Sequence, residues 1–462
     1  MLYALLKGTA AIALRWYYAD IAVQGRERVP PDGPLIVLAN HPNALIDPLL
    51  VGTTLPRRVL LTAKATLFEQ PALALLLRAV GVVPLRRAKD EVHLGSGAVV
   101  PERNAQAFAQ VTSALRARQV VLVFPEGISH DDSTLAPLKS GAARMALQAK
   151  REGVAGIRLL PMGLIFEAKE RPGSRVLVRV GEPLDLDGWI TGYSAEPQEL
   201  IEALEARLRD VTINFASAER AARAVQLARV LVALAAAPAP IDEPASLDAE
   251  AAIALRIDAT ISALAEAPPH LIQAADALVT KLDVIDRELR YRGIRLADVR
   301  VSTRLPDAVA FVAREGPLAL LAGIAVMLGW ATHWIPLRAA RGLALRSLER
   351  NTSRDQPAMR TILFGLTAVM LWYIAQFVVV TRIAGPLVAV AWLAVTFSAA
   401  HALRLRGGRL QRAWQRARSF MALRADPSLQ SRLVAAVDAL VADALALEQA
   451  LAQPLPAALP RG

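Results

Sequence analysis

The sequence predicts an α/β layer domain in its first half, a helical middle region, and apolar helices near the C-terminus. Three observations carry this. From residue 34 to about 183, short apolar runs alternate with segments of helical period, the pattern of strands joined by helices. From 186 to 310 the strand pattern disappears and Ala, Leu, Arg and Glu dominate. Beyond 310 come three segments nearly free of charge, each about the 20 residues needed to cross a bilayer.

The opening segment, MLYALLKGTAAIALRWYY, is interrupted by Arg15 and lacks a small-residue cleavage site. It reads as an interfacial membrane-associating helix over 1–24 rather than a signal peptide, with an ordinary core-packing helix as the plainer reading. LIVLA (35–39) reads as a buried strand. A helix is expected from Pro48, with Asp47 as its cap and Pro48 in its first position. RVLLTA (58–63), VGVVPL (80–85), QVVLVF (119–124), IRLLPMGLIF (157–166) and SRVLVRVGEPL (174–184) are further expected strands. Helices are expected over 71–80, 104–118 and 140–153. The α/β domain is assigned to 25–185. The helical region, 186–310, is divided by the Pro-rich stretch APAPIDEPAS at 237–246.

Composition narrows the partners. Hydrophobic residues make up 54% of the 462 residues and mean hydropathy is +0.35, high for a purely water-soluble chain. The formal net charge is +11, which suits anionic lipid or nucleic acid. Arg338, Arg341, Arg346 and Arg350 flank the apolar segments, as do the arginines of 404–418. That placement favours lipid, and no aromatic-basic platform for nucleic acid is seen. The count of Cys is 0, which excludes disulfides, thiolate metal sites and a cysteine acyl-enzyme. His41 and His130 with their neighbouring acids show no metal-ligand spacing.

Membrane segments are assigned within 311–405, leaving 406–462 as a basic, helical tail. The positive-inside rule puts both arginine-rich stretches on the cytoplasmic side, and three full crossings would then place the α/β domain outside. A re-entrant or interfacial segment at 316–336, followed by a hairpin of 361–381 and 383–400, satisfies the rule. The catalytic domain would then lie on the cytoplasmic side.

Four segments carry candidate chemistry. In LIVLANHPNALIDP an apolar run ends at His41, and Asp47 follows six positions later; a base and the group that orients it have this composition. VGVVPLRR ends in Arg86 and Arg87, a pair suited to chelating an anion. In FPEGISH, Glu126 offers an acceptor and Gly127 a backbone free to approach a ligand. LLPMG is a strand interrupted by Pro161. Taken singly, each also has a structural reading as a core histidine, a helix cap, surface arginines or a turn.

In this order and spacing the four segments resemble the glycerolipid acyltransferase superfamily, over roughly residues 20–185. That family pairs a His and an Asp in its first block, follows with a glycine-to-arginine block and an FPEG block, and ends on a proline-bearing strand. Its commonest first block has four residues between His and Asp, whereas five separate His41 from Asp47. HPNALIDP with FPEGISHDD and LKSGAA looks more like the glycerol-3-phosphate and dihydroxyacetone-phosphate acyltransferase subgroup. The resemblance implies an α/β acyltransferase domain (a mixed sheet flanked by helices) with a helical middle region and C-terminal transmembrane helices.

It further implies acyl transfer from a thioester, acyl-CoA or acyl-carrier protein, to glycerol 3-phosphate, with dihydroxyacetone phosphate as a further acceptor. His41 would be the base and Asp47 its orienter. Arg87, with Arg86 second, would bind the phosphate, and Glu126 and Gly127 the glycerol-phosphate part. Lys64 and Lys139 are candidates for added positive charge, each readable as a surface lysine. Ser129 is not needed as a nucleophile, because direct attack by the acceptor involves no acyl-enzyme. No metal or organic cofactor is implied. Lysophosphatidic acid acylation is the alternative within the enzyme class, and a non-catalytic lipid-binding membrane protein the alternative outside it.

Overall fold

The computed structural model describes residues 2–64, 68, 74, 82–85, 101–130, 132–193, 196–235, 246–264, 267–349 and 357–452. The chain divides into two compact units, Met1–Ser217 with Arg341–Gly365, and Ala218–Ala340 with Leu366–Gly462.

The first unit is built on a mixed sheet. Its described strands are β1 (Asp20–Gln24), β2 (Leu35–Ala39), β3 (Val59–Lys64), β4 (Val83–Leu85), β5 (Val120–Val123), β6 (Arg158–Phe166), β7 (Arg175–Val180) and β8 (Leu184–Asp185). They lie in the order β1-β7-β6-β2-β5-β3-β4, with β8 beside β6. β2 is parallel to both neighbours, Leu35 standing opposite Val120 of β5 and Arg158 of β6. β6 and β7 pair antiparallel. Every residue of β2 and β5 is buried, as expected of central parallel strands covered on both faces.

Side chains of β2 alternate between two cores. Leu35, Val37 and Ala39 join α1 (Leu2–Tyr17) and α2 (Ile46–Thr54) through Leu14, Tyr17, Leu50 and Val51. Ile36 and Leu38 face the other core, built with α3 (Pro101–Arg116), α4 (Gly141–Arg151) and α6 (Pro197–Val211). The short α5 (Leu186–Gly192) adds Leu186 to it. The expected domain limit at 185 therefore moves to 217. The apolar stripe of α6 (Leu200, Ile201 and Leu204) completes a sheet face and does not belong to the helical middle region.

The expected start of α2 is also corrected. Leu45 is its N-cap, without a side-chain cap, so Asp47 and Pro48 lie inside the first turn. Proline is tolerated there because the first amides of a helix have no intrahelical partner. β1, which no pattern announced, is an edge strand parallel to β7. The helix expected over 71–80 lies outside the described residues. α1 buries Leu14 and Tyr17 but exposes Leu5 and Ile12, so it packs on the sheet and keeps an outward apolar stripe.

The second unit is helical. α7 (Ala218–Ala235) and α8 (Leu247–Leu264) are linked by the Arg220–Asp258 ion pair at 2.9 Å. α9 (Pro269–Arg292) and α13 (Pro427–Ala452) share a core of Leu282, Ile285, Leu289, Leu433, Val437 and Leu440. Between them run α10 (Leu305–Glu349), α11 (Pro357–Ala384) and α12 (Pro386–Ala425). These three are the described helices long and apolar enough to cross a membrane. Leu321 of α10, 83% exposed, typifies their outward apolar side chains.

The segment 316–336, expected to be re-entrant or interfacial, lies within α10, one continuous helix of 45 residues. That helix is about 68 Å long at the standard rise. Pro317 and Pro336 lie inside it, and the Leu-Arg-Ala-Ala-Arg run after Pro336 favours helix. Trp372 and Tyr373, too central for an interfacial belt, serve as cross-helix partners. The Trp372 indole donates to the Thr332 carbonyl at 2.8 Å, and the Tyr373 hydroxyl meets His333 Nε2 at 2.9 Å.

Candidate active site

The site forms where β2 and β5 end side by side, at the carboxyl edge where ligand sites of such sheets lie. Asn40 ends β2. Its amide oxygen accepts the Leu164 N–H at 2.7 Å and its amide nitrogen donates to the Leu164 carbonyl at 3.1 Å, which pins this end of β2 to β6. The chain then turns through 42–45, with Ala44 at φ 40°. Ser129 Oγ accepts the Ala44 N–H at 3.1 Å and braces that left-handed residue.

This turn brings His41 and Asp47 together. His41 Nδ1 lies 2.9 Å from Asp47 Oδ2, close enough for Nδ1–H to donate to the carboxylate. That tautomer leaves the Nε2 lone pair as the proton acceptor. The same Oδ2 accepts the Asn43 N–H at 2.7 Å. The His41 ring stacks on Phe124, with centroids 3.9 Å apart and planes at 14°. Five intervening residues thus close a His–Asp hydrogen bond as a turn plus the first turn of α2.

Asp47 is 0% exposed, and its Oδ1 has no hydrogen-bond partner among the described residues. Burial pushes its carboxyl above the ordinary range, while the His41 hydrogen bond, the Asn43 amide and the Lys169 charge pull it back. Tyr18 is buried beside the His41 turn. Its hydroxyl accepts from Asn43 Nδ2 at 3.0 Å and donates to the Lys169 carbonyl at 3.3 Å. Burial holds that phenol above its usual range.

Glu126 takes a different part from the expected one. At 1% exposure, both its oxygens are engaged within the protein. Oε1 accepts the His41 backbone N–H at 2.7 Å, and Oε2 accepts the Ala136 N–H at 2.9 Å and bonds His130 Nε2. The His130 N–H returns to the His41 carbonyl at 3.3 Å. Glu126 therefore holds the His41 backbone N–H directly and, through His130, the turn that bonds the His41 carbonyl. The cause is its short tether: one residue after Pro125, the side chain reaches the end of β2 directly. Gly127 has φ 73°, and a Cβ there would lie 3.2 Å from the stem of Lys139. Its backbone is approached by that lysine, whose side chain is otherwise exposed.

Arg86 and Arg87 lie outside the described residues. Lys64 closes β3, and its side chain lies outside them too. The structure thus brings together His41, Asp47, Glu126, Gly127 and Lys139. It adds Asn40, Asn43, Tyr18 and Lys169, which sequence reasoning passed over. Asn40 and Asn43 flank the histidine in NHPN and had a signal in that proximity. Lys169, in the turn between β6 and β7, resembles any surface lysine in sequence.

A buried carboxylate holds a histidine beside a braced turn at the carboxyl edge of a mixed α/β sheet, an arrangement suited to a general base. The Acyltransferase family model matches residues 20–165. An uncharacterized acyltransferase of Schizosaccharomyces pombe is 25% identical over 285 residues, covering 44% of this chain and 40% of that protein. Glycerol-3-phosphate O-acyltransferase 2 of Saccharomyces cerevisiae is 34% identical over 103 residues, 22% of this chain and 14% of that one. The 1-acyl-sn-glycerol-3-phosphate acyltransferase alpha of Mus musculus is 28% identical over 181 residues, covering 37% and 57%. The chain spans less than two thirds of the length of each. Residues 20–165 form an acyltransferase domain of the glycerolipid acyltransferase superfamily.

Proposed function

We propose that this protein is a membrane-bound O-acyltransferase that moves a fatty acyl group from a thioester to a hydroxyl of glycerol 3-phosphate. The observation that carries the reading is the His41 Nδ1–Asp47 Oδ2 hydrogen bond of 2.9 Å inside an acyltransferase domain. As the acceptor oxygen attacks the thioester carbonyl, its proton passes to His41 Nε2 and Asp47 stabilises the imidazolium. The new C–O bond forms, the C–S bond breaks, and the imidazolium returns the proton to the departing thiolate. The step as written uses no metal or organic cofactor.

Arg86 and Arg87 remain the proposed anchors of the acceptor phosphate, with Lys64 and Lys139 adding positive charge. Glycerol 3-phosphate is favoured by the HPNALIDP–FPEGISHDD pattern. The likeness to the mouse enzyme favours lysophosphatidic acid as the second reading. The apolar helices and the outward stripe of α1 keep the domain at a lipid surface, where acyl chains partition. We place that domain on the cytoplasmic side.

The full chain in lipid nanodiscs, given labelled acyl-CoA and each acceptor separately, tests the reading. Acylation of glycerol 3-phosphate is expected, with dihydroxyacetone phosphate accepted as well. Product only from lysophosphatidic acid would establish the second reading. No product with any acceptor would favour a lipid-binding protein.

A further inference from the structure

We propose that Lys169 is a positioning residue for the His41–Asp47 pair, fastening its loop and supplying the fixed positive charge that the buried carboxylate needs while His41 is neutral. The inference rests on the acyl-transfer reading but is tested separately from it.

General-base catalysis requires His41 unprotonated and Asp47 ionised at once. In that state the histidine contributes no charge, and a negative group sits completely buried with one oxygen unpartnered. Such a group is costly unless compensated. The titratable or charged side chains facing the pair come from three segments. Tyr18 lies between α1 and β1, Glu126 and His130 lie in the turn after β5, and Lys169 lies in the β6–β7 turn. Tyr18 is neutral in the ordinary range, its phenol held up by burial. Glu126 is acidic and adds no positive charge. His130 is engaged by two carboxylates, Glu126 at Nε2 and Asp132 at Nδ1, 3.3 Å away. Beyond His41 itself, Lys169 is the side chain whose charge favours the ionised form of Asp47.

Its geometry fits the task. The Lys169 ammonium donates to the Pro42 carbonyl and lies 3.4 Å from the His130 carbonyl. It thus bridges the residue after the catalytic histidine to the turn that holds Glu126. The Lys169 backbone carbonyl meets the Tyr18 hydroxyl at 3.3 Å, and that hydroxyl holds Asn43. One residue of the β6–β7 turn is therefore tied to two adjacent residues of the turn after His41, Pro42 directly and Asn43 through Tyr18.

The test compares wild type with Lys169→Met and Lys169→Arg in the full chain in nanodiscs. The readouts are steady-state kinetics over pH and NMR titration of 13C-labelled histidine, with the His41 signal assigned from a His41→Gln sample. In Lys169→Met, kcat is expected to fall at least tenfold with the acceptor KM little changed. The acidic limb of the kcat profile and the His41 midpoint should both move to higher pH by about half a unit or more, because removing a cation favours protonation of its neighbours. Lys169→Arg should restore both. An unmoved His41 midpoint would overturn the proposal whether or not the protein transfers acyl groups. A raised acceptor KM with an unmoved acidic limb would also overturn it, by making Lys169 a substrate ligand. Wild type inactive with every acceptor, yet with a shifted midpoint in Lys169→Met, would count against the acyl-transfer reading alone.

Discussion

At the scale of single residues, the decisive feature is a carboxylate held where water cannot reach it. Asp47 titrates above its ordinary range because burial disfavours its charged form. A folded-state pKa above the unfolded one means that ionisation destabilises the fold. Stability therefore falls as pH rises from the ordinary 3.8 through the raised value, and the cost persists above it. Asp47→Asn removes the charge, keeps an oxygen for His41 and Asn43, and places its NH2 where Oδ1 has no partner. Thermal unfolding should show the variant at least as stable as wild type at pH 8, with the difference narrowing toward pH 5. Its acyl transfer should fall by about 10²–10⁴-fold with the loss of the oriented base. A variant less stable than wild type at pH 8 would refute this account of Asp47. The pairing of His41 with Asp47 was legible in sequence as two polar residues after a buried run. The service of Glu126 as a brace was not, because its partners are backbone amides that no sequence pattern marks.

At the scale of elements, β2, β5 and β6 could be read from the chain because each is an apolar run buried by its neighbours. β1 could not: its residues are half-buried, and only pairing with β7, more than 150 positions away, makes it a strand. The same non-local packing explains why α6 joins the sheet. Gly163 of β6 lies under the end of α6, where a Cβ would come within 1.9 Å of the Val211 carbonyl oxygen. Backbone cannot yield as a side chain does, so Gly163→Ala should cost about 3 kcal/mol or more. Gly52 in α2 is the control. A Cβ there meets nothing within 4 Å, and alanine should be neutral or stabilising by up to about 1 kcal/mol. Chemical denaturation followed by tryptophan fluorescence distinguishes the two, and equal effects would contradict the packing described.

At the scale of the molecule, the helical unit constrains how the chain meets a membrane. α9 precedes the apolar helices and α13 follows them, yet both share one core. Lys281–Asp443 and Arg300–Asp438 ion pairs tie the same flanks together. We predict that both flanks lie on one side, with α10, α11 and α12 together crossing an even number of times. The length and apolarity of these segments were legible in sequence. The course of α10 from Leu305 to Glu349 was not, since only the charge-free run 316–336 within it stood out. The chain contains 0 Cys, so single cysteines at exposed Tyr291 and Arg432 can report sidedness directly. In sealed, oriented vesicles both should react with an impermeant maleimide from the same face, and labelling from opposite faces would rule out the shared core in the membrane.

His41, held by Asp47, is the proposed base. Single-turnover acyl transfer by His41→Ala, in the full chain in nanodiscs with glycerol 3-phosphate and acyl-CoA, tests that most directly. The account predicts a rate lower by about 10²–10⁴-fold, with thermal stability close to wild type. A rate within about threefold of wild type would contradict it, since losing a base that acts in the transition state cannot leave the rate intact.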